Sequence, residues 1–320
     1  MNAVDMRINK TLIRREFWEN RSLWLVPTVF AAILTVLSVY MLVAVLVNHS
    51  GAVNNIDIDN GPHFQISDMP DLRDASDAEI TGFVRVVTFG LSFMFSRLML
   101  IVTFFYLLDS LYADRRDRSV LFWRSMPVSD TRTVLSKLAT ALIGVTVVAF
   151  AVTVAFELVL LVLGLILGSA LGTHPFVLLA HPGAFLSSWL LVAWGELVQA
   201  LWYLPIFAWV MLASSWAKKT PFLWTVLVPA GIIVAEAWVF HTGYFARMIA
   251  HQTVDWLPLA FNFDALKMHG DKSFDVIGGP IFGLGNIGHV FTAPRLWIGA
   301  ALAAAFIYGA IELRRKRSEI

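Results

Sequence analysis

LATALIGVTVVAFAVTVAFELVLLVLGLILGSA, residues 138–170, carries one ionisable side chain, Glu157. A run this long and this apolar has no place on a water-soluble domain. About 20 residues suffice to cross ~30 Å of hydrocarbon at 1.5 Å per residue. Five further runs accompany it, at 24–47, 86–110, 186–216, 222–240 and 296–313. A backbone in lipid must satisfy its own hydrogen bonds, so these runs are expected to be helices. Strands of a membrane barrel would be shorter and would alternate in polarity. The expected fold is an all-α integral membrane protein with six transmembrane helices, forming one domain over 1–320.

The charges are sorted by side. Arg7, Lys10, Arg14, Arg15 and Arg21 precede the first run. Arg115, Arg116, Arg118, Arg124, Arg132 and Lys137 lie between the second and third. Lys218 and Lys219 lie between the fourth and fifth, and Arg314, Arg315, Lys316 and Arg317 follow the last. Together these are 17 of the 24 basic residues, all falling on one side. The positive-inside rule then makes that side, with both termini, cytoplasmic. Net charge is only +1, so no global field calls for a nucleic-acid or acidic partner. Cysteine is absent, which excludes disulfides, thiolate metal sites and a cysteine nucleophile. The first run is too long, and its polar lead too extended, for a cleavable signal.

Residues 1–23 are expected to form a surface helix, with Met6, Ile13 and Phe17 on one face while Ile8 and Leu12 point elsewhere. Trp18, Arg14 and Arg15 suit the headgroup layer. Outer loops are expected at 48–81, 171–185 and 241–294. The first is acidic and solvated. The third contains apolar stretches at 256–261 and 276–285, too short to span, that could dip into the outer leaflet. Its Gly-rich part, 278–288, fits a re-entrant turn. The inner loop 112–137 reads as a short helix over 118–125, capped by Asp117 and ended before Pro127. Ser129 or Asp130 then caps the helix that enters the third span. Leu121, Phe122 and Trp123 sit beside Arg118 and Arg124, three large apolar residues in a row. They need burial, against another protein or against headgroups.

YLLDSLYADRRDRSVLFWRSMPVSDTRTVLSKL (106–138) resembles the membrane subunits of bacterial ATP-binding-cassette (ABC) exporters of the drug, lipid and polysaccharide efflux type. LIRREFWENRSLWLVP (12–27) and LWYLPIFAWVMLASSWAKKTPFLW (201–224) look like the same family. The resemblance implies an inner-membrane permease with an elbow helix at 7–21 and a re-entrant element before Arg295. It also implies a coupling helix over 118–125 that docks on a separate cytoplasmic ATPase. Arg118, Leu121, Phe122, Trp123, Arg124, Met126 and Asp130 would carry that docking. Two ATPase copies and a second permease copy or paralogue would complete the assembly, with ATP and Mg held by the ATPase. No G-x-x-x-x-G-K-[ST] phosphate loop occurs, in keeping with a separate ATPase and no enzymatic role for this chain. Amphipathic cargo is expected.

Arg97, Glu157, Glu196 and Glu236 lie within the apolar runs, where ions are expensive and face a bundle interior or a wet cavity. The first three fall at a similar depth in the outer half, and Glu236 is shallower. Arg97 is expected to pair with Glu157 or Glu196, either as a structural tie or with an unpaired glutamate on the translocation path. These glutamates also keep open an ion-coupled secondary transporter, although no inverted repeat is visible. An intramembrane enzyme is disfavoured: Asp109 and Ser110 have no histidine on their side to act as base. All eight histidines (His49, His63, His174, His181, His241, His251, His269 and His289) fall on the outer side, where a metal or pH-sensitive site is conceivable.

Overall fold

The computed structural model describes residues 3–49, 76–117, 129–172, 174–260 and 290–316. Among these, every regular element is helical. Helix α1, Ala3–Glu19, precedes α2, Ser22–His49. Next comes α3, Asp77–Arg116. Helix α4, Asp130–Ala139, runs through a π-helical turn at Thr140–Gly144 into α5, Val145–Ala170. A short α6, Val177–Ala180, leads to α7, Pro182–Trp202, and α8, Leu204–Trp216. The chain finishes with α9, Pro221–Val239; α10, Tyr244–Val254; α11, Trp256–Ala260; and α12, Pro294–Lys316. Six of these, counting α4–α5 as one rod, are long and apolar enough to cross a membrane. This is the architecture of a multi-pass membrane protein.

Several boundaries differ from the sequence reading, each for a local reason. The acidic loop expected to reach residue 81 ends earlier, because Ser76 and Glu79 form a capping box. The Glu79 side chain takes the Ser76 N–H at 2.7 Å, and Ser76 Oγ takes the Glu79 N–H at 3.3 Å. The run 186–216 is two helices rather than one. Pro205 has no N–H, and its ring crowds the carbonyl one turn back, so the chain kinks at Tyr203. Ser129, not Asp130, caps α4, with Oγ accepting from the Arg132 N–H at 3.3 Å. Asp117 ends α3 and its carboxylate is held by Arg116 at 2.9 Å, which lowers its proton affinity. The stretches 118–128 and 276–288 lie outside the described residues.

Helix α3 is the central post. It packs on α2, α5, α7 and α8, burying Phe95, Met99, Tyr106, Leu107 and Leu111 along one face. Helix α12 lies along α8. By contrast, α2 and α9 leave Val36, Tyr40, Leu227, Val234 and Trp238 outward. Such continuous apolar surface would be an aggregation liability in water and is ordinary against lipid. At 40 residues, α3 is about 60 Å long, and the 41-residue rod 130–170 matches it. Both therefore project well past the hydrocarbon.

Helix α1 docks on α4 and the π-turn through a face that keeps Phe17 of the expected set and adds Leu12, which was expected to point elsewhere. Leu12 and Glu16 are buried there, with Phe17 alongside, while Trp18 is exposed under the Arg14 guanidinium at 5.1 Å. The π-turn matters to this docking. A Cβ on Gly144 would lie 2.7 Å from Phe17 Cζ, so only glycine lets the ring approach. Gly144→Leu is expected to cost about 1–3 kcal/mol by overpacking and to free α1 for tryptic cleavage at Arg14 and Arg15. Limited proteolysis in detergent reads the result, and a cleavage pattern unchanged from the parent would count against this docking.

Candidate functional site

Two polar assemblies stand out in the apolar bundle. The first closes the end of the bundle that holds α1, the start of α4 and the ends of α3 and α12. Glu16 on α1 is fully buried. It receives Lys137 Nζ at 3.2 Å, Arg15 Nη2 at 2.8 Å and the Tyr106 hydroxyl at 3.0 Å. Lys137 also reaches Asp114 at 3.6 Å, and Arg314 bridges Asp114 at 2.7 Å and Asp130 at 3.1 Å. Three cations and three carboxylates thus tie together α1, α3, α4 and α12. Burying Glu16, Lys137, Asp114 and Arg314 is tolerable because each of these four has more than one partner. Beside this hub, Arg115 donates to the Ser214 and Ala217 carbonyls at 2.6 and 2.8 Å, closing the open end of α8. The segment 118–128 is rooted at both ends in this hub, through Asp114 on one side and Asp130 on the other. Of the residues expected to dock an ATPase, Asp130 is engaged by Arg314, while Arg118, Leu121, Phe122, Trp123, Arg124 and Met126 lie outside the described residues.

The second assembly sits in the bundle interior along α3. Thr88, Ser92 and Ser96 recur every four residues and so share one face of that helix. Glu157 on α5 meets Thr88 in a short hydrogen bond and accepts the Trp189 indole N–H at 2.8 Å. Glu196 on α7 lies 3.2 Å from Ser92 Oγ and 3.5 Å from Ser96 Oγ. The two glutamates therefore meet α3 at different turns instead of forming one layer.

The expected pairing of Arg97 with a glutamate is not what the side chains do. Arg97 Nη2 donates to Gln199 Oε1 at 2.8 Å, and Nη1 reaches the Tyr203 hydroxyl at 3.4 Å. Its guanidinium stacks over Phe93 at 4.8 Å and Trp256 at 5.7 Å. A neutral amide, a phenol and two rings replace the carboxylate because Gln199, one turn after Glu196, points to the same spot. Glu236 belongs to neither assembly. It takes the Thr242 hydroxyl and the Tyr244 and Phe245 N–H groups at 2.7–2.8 Å, capping α10.

Segment 244–260 is drawn into the bundle. Tyr203 donates to the Thr253 carbonyl at 2.8 Å, Gln252 donates to the Trp202 carbonyl at 2.5 Å, and Trp256 is buried. The kink at Tyr203 exposes the Trp202 carbonyl that Gln252 takes. Two cavities of about 20 Å³ flank this centre, each roomy enough for about one water. One is lined by Phe89, Phe93 and Trp256, and the other by Thr103, Thr146 and Phe207. Ser96, Glu196 and Gln199 border both.

Beside the start of α3, His181 Nδ1 faces the Val177 carbonyl at 2.8 Å, and Nε2 faces Asp77 at 3.0 Å. Both are acceptors, so only the imidazolium can donate to both, and these contacts raise its proton affinity, the carbonyl first. His251 pairs with Asp255 at 3.0 Å, and Arg295 joins the same carboxylate. Among the described residues no group of three or more His, Asp or Glu is placed to hold a metal.

Ser92, Ser96 and Gln199 were missed by reading ionisable residues alone. The four-residue spacing of hydroxyls on a membrane helix was the available signal. No protein-family model matches the chain, and neither any curated protein nor any solved structure is significantly similar to it.

Proposed function

We propose that this chain is the permease subunit of an ATP-driven exporter in the bacterial inner membrane, with both termini cytoplasmic. A separate ATPase, in two copies and carrying ATP and Mg, binds the segment 118–128. A second permease copy or a paralogue completes the pore, and an amphipathic lipid, peptide or drug-like molecule is the cargo. The observation that carries this reading is the buried ionic hub. It fastens both roots of 118–128 to α1 and α12, so a push on that segment moves α1, α3, α4 and α12 together. A connector with such roots suits mechanical input from a partner better than it suits a passive loop. The apolar triplet Leu121, Phe122 and Trp123 supplies a surface for such a partner.

Purification of the tagged chain in mild detergent tests the reading. A stoichiometric ATPase is expected to co-elute. In Trp123→Ala/Arg124→Glu it should be lost at least tenfold while the variant keeps the same size-exclusion profile. A monodisperse parent that brings down no ATPase would sink the proposal and leave an ion-coupled transporter as the reading to pursue.

A further inference from the structure

The two interior glutamates share a hydrogen-counting problem. A serine or threonine hydroxyl has one proton to give. Ser96 Oγ lies 2.9 Å from Gln199 Oε1 and 3.5 Å from Glu196 Oε2. The shorter contact takes the proton, and Gln199 Oε1 then accepts from both Ser96 and Arg97. Ser92 donates to Glu196 Oε1 at 3.2 Å, but the longer contact at Oε2 is left without a hydrogen unless the carboxyl supplies one. Thr88 repeats the pattern. Its hydroxyl donates to the Val84 carbonyl at 2.8 Å, the usual bond of a helical threonine, while Glu157 Oε1 presses on the same oxygen. In both places a proton on the glutamate completes the count, giving Glu196 O–H to Ser96 to Gln199 and Glu157 O–H to Thr88 to Val84.

We propose that Glu196 is a reversible proton-binding site in the bundle interior, served by the two water-sized cavities that meet at it. Hydronium in either cavity gives its proton to a Glu196 carboxylate oxygen, forming the O–H bond and leaving water. Release reverses the step. A metal cation is a poorer occupant. Gln199 Oε1, the amide oxygen bordering both cavities, is already filled by the Arg97 guanidinium, whose positive charge would repel a metal ion, and the Ser92 and Ser96 hydroxyls are weak ligands. The groups facing Glu196 fit a proton. Arg97 on α3 is the charged one, committed to Gln199 and Tyr203. Tyr203 is committed to Thr253. Glu157 on α5 is held at Thr88, and α11 brings the Trp256 indole to the cavity wall. This site does not depend on the ATP-driven reading.

Dicyclohexylcarbodiimide is the probe, used on the full-length chain in phosphatidylethanolamine–phosphatidylglycerol vesicles without any ATPase. It reacts with a protonated carboxyl in apolar surroundings: the acid proton goes to a carbodiimide nitrogen while the carboxyl oxygen bonds its central carbon. Peptide mass spectrometry locates the adduct. Labelling at Glu196 is expected, falling about tenfold per pH unit once above its midpoint. Glu196→Gln should lose that adduct, and Glu157→Gln should keep it. Ser96→Ala, which removes the hydroxyl that receives the proton, should move the midpoint by a measurable fraction of a pH unit. Size exclusion of each variant separates these outcomes from misfolding. Glu196 unlabelled at every pH at which the parent stays monodisperse, or labelled equally at all of them, would overturn the proposal. Co-elution of an ATPase is a separate measurement, so either idea can fail alone.

Discussion

Lys137→Met is expected to lower unfolding stability by about 3–5 kcal/mol, the usual cost of leaving a buried carboxylate without its cation. Glu16 would keep Arg15, but among the described residues Lys137 is its only cation from across the bundle, and it is shared with Asp114. The companion Glu16→Gln/Lys137→Met should recover most of the loss, because a neutral amide and a thioether carry no unpaired charge. Thermal unfolding in detergent, followed by size exclusion, measures both. A Lys137→Met chain as stable as the parent would mean that the hub does not hold α1 to α4. The same variants report on coupling. Under the proposed function, a double variant that folds and keeps a co-eluting ATPase that hydrolyses ATP without moving cargo would mean that the charges transmit force as well as fasten helices.

Arg97→Gln should have the second largest effect. The substitution removes hydrogen bonds to Gln199 and Tyr203 and the stacking over Phe93 and Trp256. Charged hydrogen bonds and a desolvated cation–ring contact together put the loss at about 2–4 kcal/mol, part of it returned by no longer burying a guanidinium. The damage should be local. Segment 244–260 should loosen first, since Arg97 stacks on its Trp256 and positions Tyr203, which holds Thr253. Arg97→Lys should rescue poorly, because an ammonium lacks the flat fork that both donates and stacks. Hydrogen exchange over 244–260 gives the readout. Unchanged exchange there, with altered transport, would instead place Arg97 on the cargo path.

Hydropathy sufficed to read the six spans, since nothing competes with a run such as 138–170 for burial in lipid. It misplaced ends where a polar local rule takes over. Ser76 and Glu79 spell a capping box, yet they sit in an acidic stretch that reads as solvent. Pro205 breaks a run whose composition does not change. The hub was harder to read. Glu16 looks like one more charge on a surface helix until Lys137, 121 residues later, is seen to meet it. Asp114 and Arg314 are 200 residues apart. Pairings of that range are set by how the helices pack and leave no local periodicity. In the interior, the ionisable residues were found and their partners were not. A search for opposite charges passes over Gln199, Ser92 and Ser96, which do the bonding.

The hub also bears on how such a chain is made. Orientation during membrane insertion is set by Lys and Arg near each span while the chain is nascent and those side chains are still free. Arg15, Arg115, Lys137 and Arg314 belong to the clusters that favour one orientation, yet in the folded protein all four are paired or buried. They are therefore read twice, first by the insertion machinery as free charge and later by Glu16, Asp114, Asp130 and the α8 carbonyls as partners. A neutral substitute that keeps the fold could still weaken topology at biogenesis. Expression yield and stability of purified protein should then part company for these four positions.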